Sequence, residues 1–229
     1  MTPSVLVFDV NETLLDIESM APLFDRLFGD PEVLRDWFNQ LVLYSMAATL
    51  SDQYVDFFTL AQSVLQMAAD REGVMLADAD RVALKERMRS MPAHPDVEDG
   101  LNKLSDSGFR LVTLTNSPPG QNGQSAADRA GLSRFFERQF SVHSSRAFKP
   151  AFRLYRDVAR DLGEEPSSCM MVAAHPWDLI GAQSVGYTAA LITRRGNAPL
   201  RVDGLPEPTL IAPDLRDLAE QLGPAPTPG

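Results

Sequence analysis

The sequence predicts an α/β protein: a parallel sheet core flanked by helices, with a helical subdomain inserted early in the chain. Three observations predict it. An apolar run, Val5 to Phe8, ends abruptly in the carboxylate of Asp9, and a continuous apolar run is how a strand buried on both faces of a parallel sheet reads. Residues 17–90 carry helical periodicity and little strand signal. From residue 96 helical and strand patterns alternate, which implies parallel pairing, helices on both faces and right-handed connections. The 229 residues allow one large domain or a core with a smaller one, and 44% hydrophobic content is ample for a packed core.

Taken in order, the first strand is followed by helical spacing at Val33, Leu34, Trp37, Phe38, Leu41 and Tyr44. A second series runs through Val55, Phe58, Ala61, Val64, Leu65 and Ala68, with Ser51 placed to cap that helix. A third amphipathic stretch lies near 78–90. A helix near 96–106 then precedes a strand at 109–115. A helix near 123–130 ends at Gly131, and a short strand covers 139–142. A helix over 150–162 stops at Gly163, ahead of a strand at 170–174 and a helix to about residue 185. Strands at 187–192 and 209–211 and a helix near 214–222 complete the core. Residues 1–16 and 96–222 thus form the core and 17–95 the helical insert. The Pro-rich tail, 223–229, is expected to be disordered.

The net charge of −10 argues against nucleic acid and anionic membranes as partners, both of which need basic patches. It leaves room for a small anionic substrate, because a few local cations dominate a pocket. The single cysteine, Cys169, lies in an apolar run and is expected in the core. One cysteine allows no internal disulfide and fits a cytoplasmic location. No segment resembles a leader or a bilayer span.

In an open α/β sheet, ligands bind beyond the carboxyl ends of the strands. Asp9 stands at such an end, with Asn11 and Thr13 on the loop around it. There it either terminates the strand or serves as a nucleophile that forms a covalent intermediate. The strand ending at Thr115-Asn116-Ser117 offers either a hydroxyl and amides for an anionic oxygen or an ordinary polar turn. Lys149, biased to an extended conformation by Pro150, either reaches Asp9 or is solvated. Tyr155 follows on the next helix, as a pocket or a core residue. In the fourth segment, His175, Trp177 and Asp178 crowd one turn after an apolar strand, an arrangement suited to acid–base chemistry or to orienting a lysine.

The pattern Asp9-x-Asn11-x-Thr13-Leu14 resembles the first motif of the haloacid dehalogenase superfamily, and Thr115-Asn116, Lys149 and Asp178 follow in the order of its other motifs. The resemblance covers essentially the whole chain. It implies a Rossmann-like core with the helical insert as a cap domain. Phosphatases of the superfamily use magnesium and a second Asp two residues after the nucleophile. Asn11 stands there, and a carboxamide cannot donate and recover a proton near neutral pH.

The 2-haloacid dehalogenases of the L-2 type fit better. Their cap segment resembles Trp37 to Tyr44, their Lys-Pro-to-Tyr spacing matches Lys149-Pro150 through Tyr155, and their last motif resembles Ala174 to Asp178. The resemblance implies that Asp9 displaces halide from a small anionic haloacid, such as a haloacetate, fluoroacetate included. Water then hydrolyses the ester, with no cofactor. Lys149 would stabilise the Asp9 and substrate carboxylates, and Asp178 would orient Lys149 and position water. Thr13, Thr115 and the amides near Asn116 would bind substrate oxygens. Asn11, Phe38, Tyr155 and Trp177 complete the expected site.

Three positions depart from the family. Asn11 replaces a usual Tyr, Phe38 a halide- or substrate-binding Arg, and His175 an Asn. His175 is expected to donate to halide or to the ester oxygen, or to assist water. Two alternatives stay open: a magnesium-dependent small-molecule phosphatase, and a non-catalytic binding protein on the same scaffold. Met46, Met67, Met75 and Met88 are expected mostly in the core, with some at a homodimer surface.

Overall fold

The computed structural model describes residues 3–120 and 122–226. Six parallel strands form one sheet: β1 (Val5–Phe8), β2 (Arg110–Thr115), β3 (Arg138–Ser141), β4 (Cys169–Ala173), β5 (Thr188–Ile192) and β6 (Leu210–Ala212). Their order is β3-β2-β1-β4-β5-β6, so the direction of winding reverses between β1 and β4. That switch point is where α/β sheets open a crevice at their carboxyl ends. β1 and β4 are wholly buried, while β3 and β6 at the edges are partly exposed. In register, Phe8 lies beside Thr113 of β2 and Val172 of β4, which brings the ends of all three strands together.

Helices α5 (Val97–Asp106) and α6 (Ala126–Arg129) lie on the β1-to-β2-to-β3 crossovers, and α7 (Phe152–Leu162) and α8 (Pro176–Gln183) on those to β4 and β5. Right-handed crossovers that reverse direction place the two pairs on opposite faces. The closing helix, α9 (Leu215–Leu222), packs on α5. Gly100 permits this, since a Cβ there would fall 2.4 Å from the Leu215 Cβ. Gly163 ends α7 with φ of 72°, a left-handed conformation that favours glycine. Cys169 is buried and free.

Helices α1 (Ala21–Phe28), α2 (Val33–Leu50), α3 (Phe57–Glu72) and α4 (Asp78–Arg89) follow β1. The chain leaves and returns through an antiparallel crossing: Asp16 N–H donates to Pro92 O at 2.8 Å and His94 N–H to Leu14 O at 3.0 Å. Trp37 is buried between these helices, its Nε1–H donating to Ala61 O at 3.0 Å. The insert docks on the sheet through Tyr54, whose ring lies 5.0 Å from Phe148. Thr49 Oγ1 also accepts from Phe148 N–H at 2.8 Å.

Some local expectations are corrected. Ser51 does not cap the second helix of the insert; it ends α2. Asp56 caps α3, its carboxylate accepting from the N–H groups of Phe58 and Thr59. Val55 precedes that helix and is 42% exposed, and Tyr44 lies on the outer face of α2, 41% exposed. The helix expected over 123–130 shortens to α6, which ends before Gly131. Met88 is buried, Met46 and Met67 pack partly buried on the core, and Met75 is exposed. Of the tail, Ala225 N–H donates to Ser107 O at 2.8 Å, and 227–229 lie outside the described residues. No helix among the described residues is long and apolar enough to cross a membrane.

Candidate active site

Asp9 follows β1 directly, with its N–H still in the sheet, donating to Val172 O at 3.0 Å. The residue is 4% exposed. Oδ1 accepts from Lys149 Nζ and Oδ2 from Thr13 Oγ1, both at 2.7 Å. The Thr13 hydroxyl in turn accepts from Ala174 N–H at 2.9 Å, tying the loop after β1 to the end of β4. Arg194 braces the same loop from behind: it donates to Thr13 O and forms a bidentate pair with Asp96.

Lys149 is fully buried and all three of its ammonium protons have an acceptor: Asp9 Oδ1, Asp178 Oδ2 at 2.7 Å and Leu114 O at 2.9 Å. Its own N–H donates to Asn116 Oδ1 at 3.0 Å, so Asn116 at the end of β2 sets the position of the lysine. Asp178 lies in the first turn of α8, and its Oδ1 accepts from the Tyr155 hydroxyl. Tyr187 OH donates to Tyr155 O at 2.8 Å. Gly181 allows α8 to approach this closely, since a Cβ there would lie 2.6 Å from Pro150 and 2.8 Å from the Tyr155 ring.

These contacts set the charges. Burial opposes the Asp9 carboxylate, but Lys149 and His175 hold its pKa far below the usual carboxylate range. Burial likewise opposes the Lys149 ammonium, and Asp178 and Asp9 overcome it and raise its pKa. Burial and Asp178 push Tyr155 well up, so it stays a donor.

His175 caps α8 and sits between two carboxylates. Its Nε2 is 2.7 Å from Glu12 Oε2 and its Nδ1 3.5 Å from Asp9 Oδ2. Its ring stacks on Trp177 at 5.0 Å and lies 5.6 Å from Phe38. Burial would lower its pKa; the carboxylates of Asp9 and Glu12 beside it push it up to about 9. A cavity of about 270 Å³ opens on this side, lined by Glu12, Arg35, Phe38, His175, Trp177 and Asn197, among others.

The expected residues therefore separate into groups. Asp9, Thr13, Lys149 and Asp178 form one hydrogen-bonded chain, and His175 Nδ1 faces Asp9 at 3.5 Å. Phe38 and Trp177 wall the adjoining cavity. Tyr155 and Asn116 have their polar atoms engaged by Asp178 and Lys149; they position the ion chain. Thr115 Oγ1 accepts from Ser117 N–H at 3.1 Å, and both residues line a separate cavity beside β2; Asn11 Nδ2 donates to Ser117 Oγ at 3.1 Å.

Two contributors escape the sequence. Glu12 has a left-handed φ of 69°, which turns its carboxylate to His175. Arg35, one turn before Phe38 on α2, pairs with Glu12 and with Glu18. Neither belongs to a spacing pattern; an acid next to Asn11 and an arginine near Phe38 were the only traces. No group of three His, Cys, Asp or Glu among the described residues is arranged to hold a metal.

The model of the family described as haloacid dehalogenase-like hydrolase matches residues 3–186. An (S)-2-haloacid dehalogenase from Burkholderia cepacia is 31% identical over 199 residues, covering 84% of each chain. A haloacetate dehalogenase from Moraxella sp. (strain B) is 27% identical over 202 residues, 84% of this chain and 87% of that one. A phosphatase of Mycobacterium tuberculosis is 26% identical over 200 residues, 86% of this chain and 90% of that one. The solved L-2-haloacid dehalogenase RSc1362 superposes with a TM-score of 0.89 at 27% identity, covering 97% of this chain and 99% of that one. With its sheet order, its Asp9–Lys149–Asp178 chain and these relatives, the protein belongs to the haloacid dehalogenase-like hydrolases.

Proposed function

We propose that the protein hydrolyses the carbon–halogen bond of small 2-haloalkanoic acids, haloacetates included, through an ester on Asp9. The observation that carries this reading is the buried Asp9, held ionised by Lys149 and by His175, which lies on the wall of a small cavity. An ionised, desolvated carboxylate is a competent nucleophile toward carbon. Asp9 attacks the carbon bearing the halogen and forms a C–O bond as the C–X bond breaks; halide leaves with the bonding pair. Water then attacks the ester carbonyl, restoring Asp9 and releasing the 2-hydroxy acid. Lys149 stays beside the carbonyl oxygen, where its charge stabilises the negative charge that develops. Asp178, Tyr155 and Asn116 keep it there.

Phe38 and Trp177 exclude water from the reacting carbon. His175, protonated between its two carboxylates, supplies the donor for halide that Phe38 lacks. Asn197, which lines the cavity, has a buried Nδ2 without a partner, and Arg195 lines it too; both suit the substrate carboxylate. Helices α1–α4 would act as the cap. The expected homodimer and cytoplasmic location belong to the same reading; Leu43 and Leu50 give α2 exposed apolar surface for the dimer.

The relative from Mycobacterium tuberculosis speaks for the phosphatase alternative. The donors around Asp9 do not fit magnesium: Asp178 faces Lys149 and Tyr155, and Asn11 turns its amide nitrogen to Ser117. The test is incubation with chloroacetate, fluoroacetate and each enantiomer of 2-chloropropionate, with chelator present. The expected result is metal-independent release of halide and 2-hydroxy acid in equal amounts. No halide from any of them, together with magnesium-dependent cleavage of p-nitrophenyl phosphate, would overturn the reading.

A further inference from the structure

We propose that Arg194 is a positioning residue for the nucleophile. Through the Thr13 carbonyl it sets the Thr13 hydroxyl on Asp9, at the point where both connections to the helical insert meet the core. The inference rests on the dehalogenase reading, which makes Asp9 the nucleophile.

Arg194 follows β5, which lies two strands from β1 in the sheet. Its backbone is fixed by the sheet end: Thr193 N–H donates to Ala212 O and Arg194 N–H to Ile192 O, both at 2.9 Å. Arg195 and Gly196 beside it are exposed, yet Arg194 is buried. One edge of its guanidinium meets the loop after β1, with Nε donating to Thr13 O at 3.1 Å and Nη2 to the same oxygen at 2.9 Å. The other edge is bidentate on Asp96, at 2.7 and 3.0 Å. Asp96 Oδ2 also accepts from Leu215 N–H at 2.9 Å, where α9 begins. A buried guanidinium is costly unless its donors are matched, and here a carboxylate and a carbonyl match them.

What the fork holds is the residue that holds Asp9. Thr13 is wholly buried; its hydroxyl donates to Asp9 Oδ2 at 2.7 Å and accepts from Ala174 N–H at 2.9 Å. The chain reaches Thr13 through Glu12, whose φ of 69° is a conformation that a glutamate rarely adopts. Leu14 and Leu15 N–H close that turn on Val10 O, each at 3.0 Å, and Arg194 supplies the donors for the Thr13 carbonyl. The fork also brackets the passage to the insert. Thr13 stands just before the outgoing chain and Asp96 just after the returning one, which cross at Asp16–Pro92 and Leu14–His94. Arg194 ties both to the end of β5, so a shift of the insert is taken up beyond Thr13 and not at Asp9.

Displacement at carbon needs the attacking oxygen in line with the carbon–halogen bond. With Lys149 on Oδ1 and Thr13 on Oδ2, the Asp9 carboxylate is held against rotation about Cβ–Cγ. Without the fork, the Thr13 carbonyl loses its donors, the hydroxyl shifts off Asp9, and Lys149 alone aims the carboxylate. Phe38 and Trp177 still wall the cavity, so the loss falls on turnover and not on affinity. Lysine cannot stand in, because a point charge on a flexible stem does not span Thr13 O and both oxygens of Asp96 as a planar fork does.

Halide release from chloroacetate, in single turnovers and below the melting transition of every variant, tests this in a double-mutant cycle with Thr13. Arg194→Lys is expected to lower the maximal rate roughly 10–10²-fold and to leave the half-saturating chloroacetate concentration within about threefold. Thr13→Val removes the hydroxyl through which Arg194 acts. In that background Arg194→Lys is expected to cost at most about threefold more. A maximal rate within about threefold of the unmodified one, a loss confined to half-saturation, or losses that multiply across the cycle would overturn the inference alone. If Arg194→Lys does not fold, Asp96→Asn decides. It keeps an acceptor for Leu215 N–H but breaks one arm of the fork, and is expected to cost about tenfold, again only where Thr13 is present. An unchanged rate in Asp96→Asn, or the same loss in both backgrounds, overturns the inference. No halide from the unmodified enzyme overturns the dehalogenase reading and this inference with it.

Discussion

Asp9→Asn is expected to abolish halide release, lowering turnover on the order of 10⁴-fold or more. A carboxamide has no anionic oxygen to displace halide, and nothing else beside Lys149 is placed to replace it. The fold should tolerate the change. The amide oxygen still accepts from Lys149, the amide nitrogen donates to the Thr13 hydroxyl once that hydroxyl turns, and Lys149 keeps Asp178 as its counter-ion. Halide release with chloroacetate, beside a melting curve, checks both halves. Turnover within tenfold of the unmodified enzyme would mean that Asp9 is not the nucleophile.

Lys149→Met is expected to cost stability as well as activity. It leaves Asp9 and Asp178 facing one another in a buried site with no cation between them. Removing one partner of a buried ion pair costs about 3–5 kcal/mol, which for a chain of this size lowers Tm by roughly 6–20 °C. The pH dependence identifies the cause. In the unmodified protein, Asp9 and Glu12 have lowered pKa values; the stability they contribute is present above pH 4.5 and is lost as pH falls through their folded values. His175, raised to about 9, contributes fully below pH 6.5 and loses that contribution as pH rises from there through 9. Asp178, raised by burial, works against the other carboxylates.

Without Lys149 the two orphaned aspartates have raised folded pKa values, so protonation relieves them. The deficit relative to the unmodified protein should therefore be largest at pH 8 and shrink as pH falls toward about 5. Urea midpoints at the two values measure it. A deficit under about 1 kcal/mol at pH 8, or one independent of pH, would mean the lysine is not compensating those charges.

The strands and the ion chain were legible for one reason: polar residues that follow apolar runs are placed by the sheet itself. Asp9, Thr115, Asn116 and Asp178 fall at or just beyond strand ends whose burial the composition reveals. Edge strands are less legible, since β3 and β6 are short and partly exposed. Helix starts depend on which of several competent caps the chain uses. Ser51 and Asp56 both suit the role, and Asp56 takes it because the chain stays extended through the exposed Val55. Tyr155 was placed on the right helix but behind Asp178, because helical spacing gives a face and not the depth of a neighbouring carboxylate. Glu12 needed a backbone conformation that its residue type rarely adopts, and a partner 23 positions away on α2. Neither leaves a periodic trace.

The account turns on the ester at Asp9, and isotope partition in a single turnover tests it most directly. Enzyme in excess over (S)-2-chloropropionate or chloroacetate is allowed to react once in ¹⁸O-water. If Asp9 attacks the carbon, the oxygen delivered to the product comes from Asp9: the 2-hydroxy acid carries no label and the Asp9 peptide gains it. Label in the product after that first turnover, with none in Asp9, would show that water attacks the carbon directly and would contradict the account.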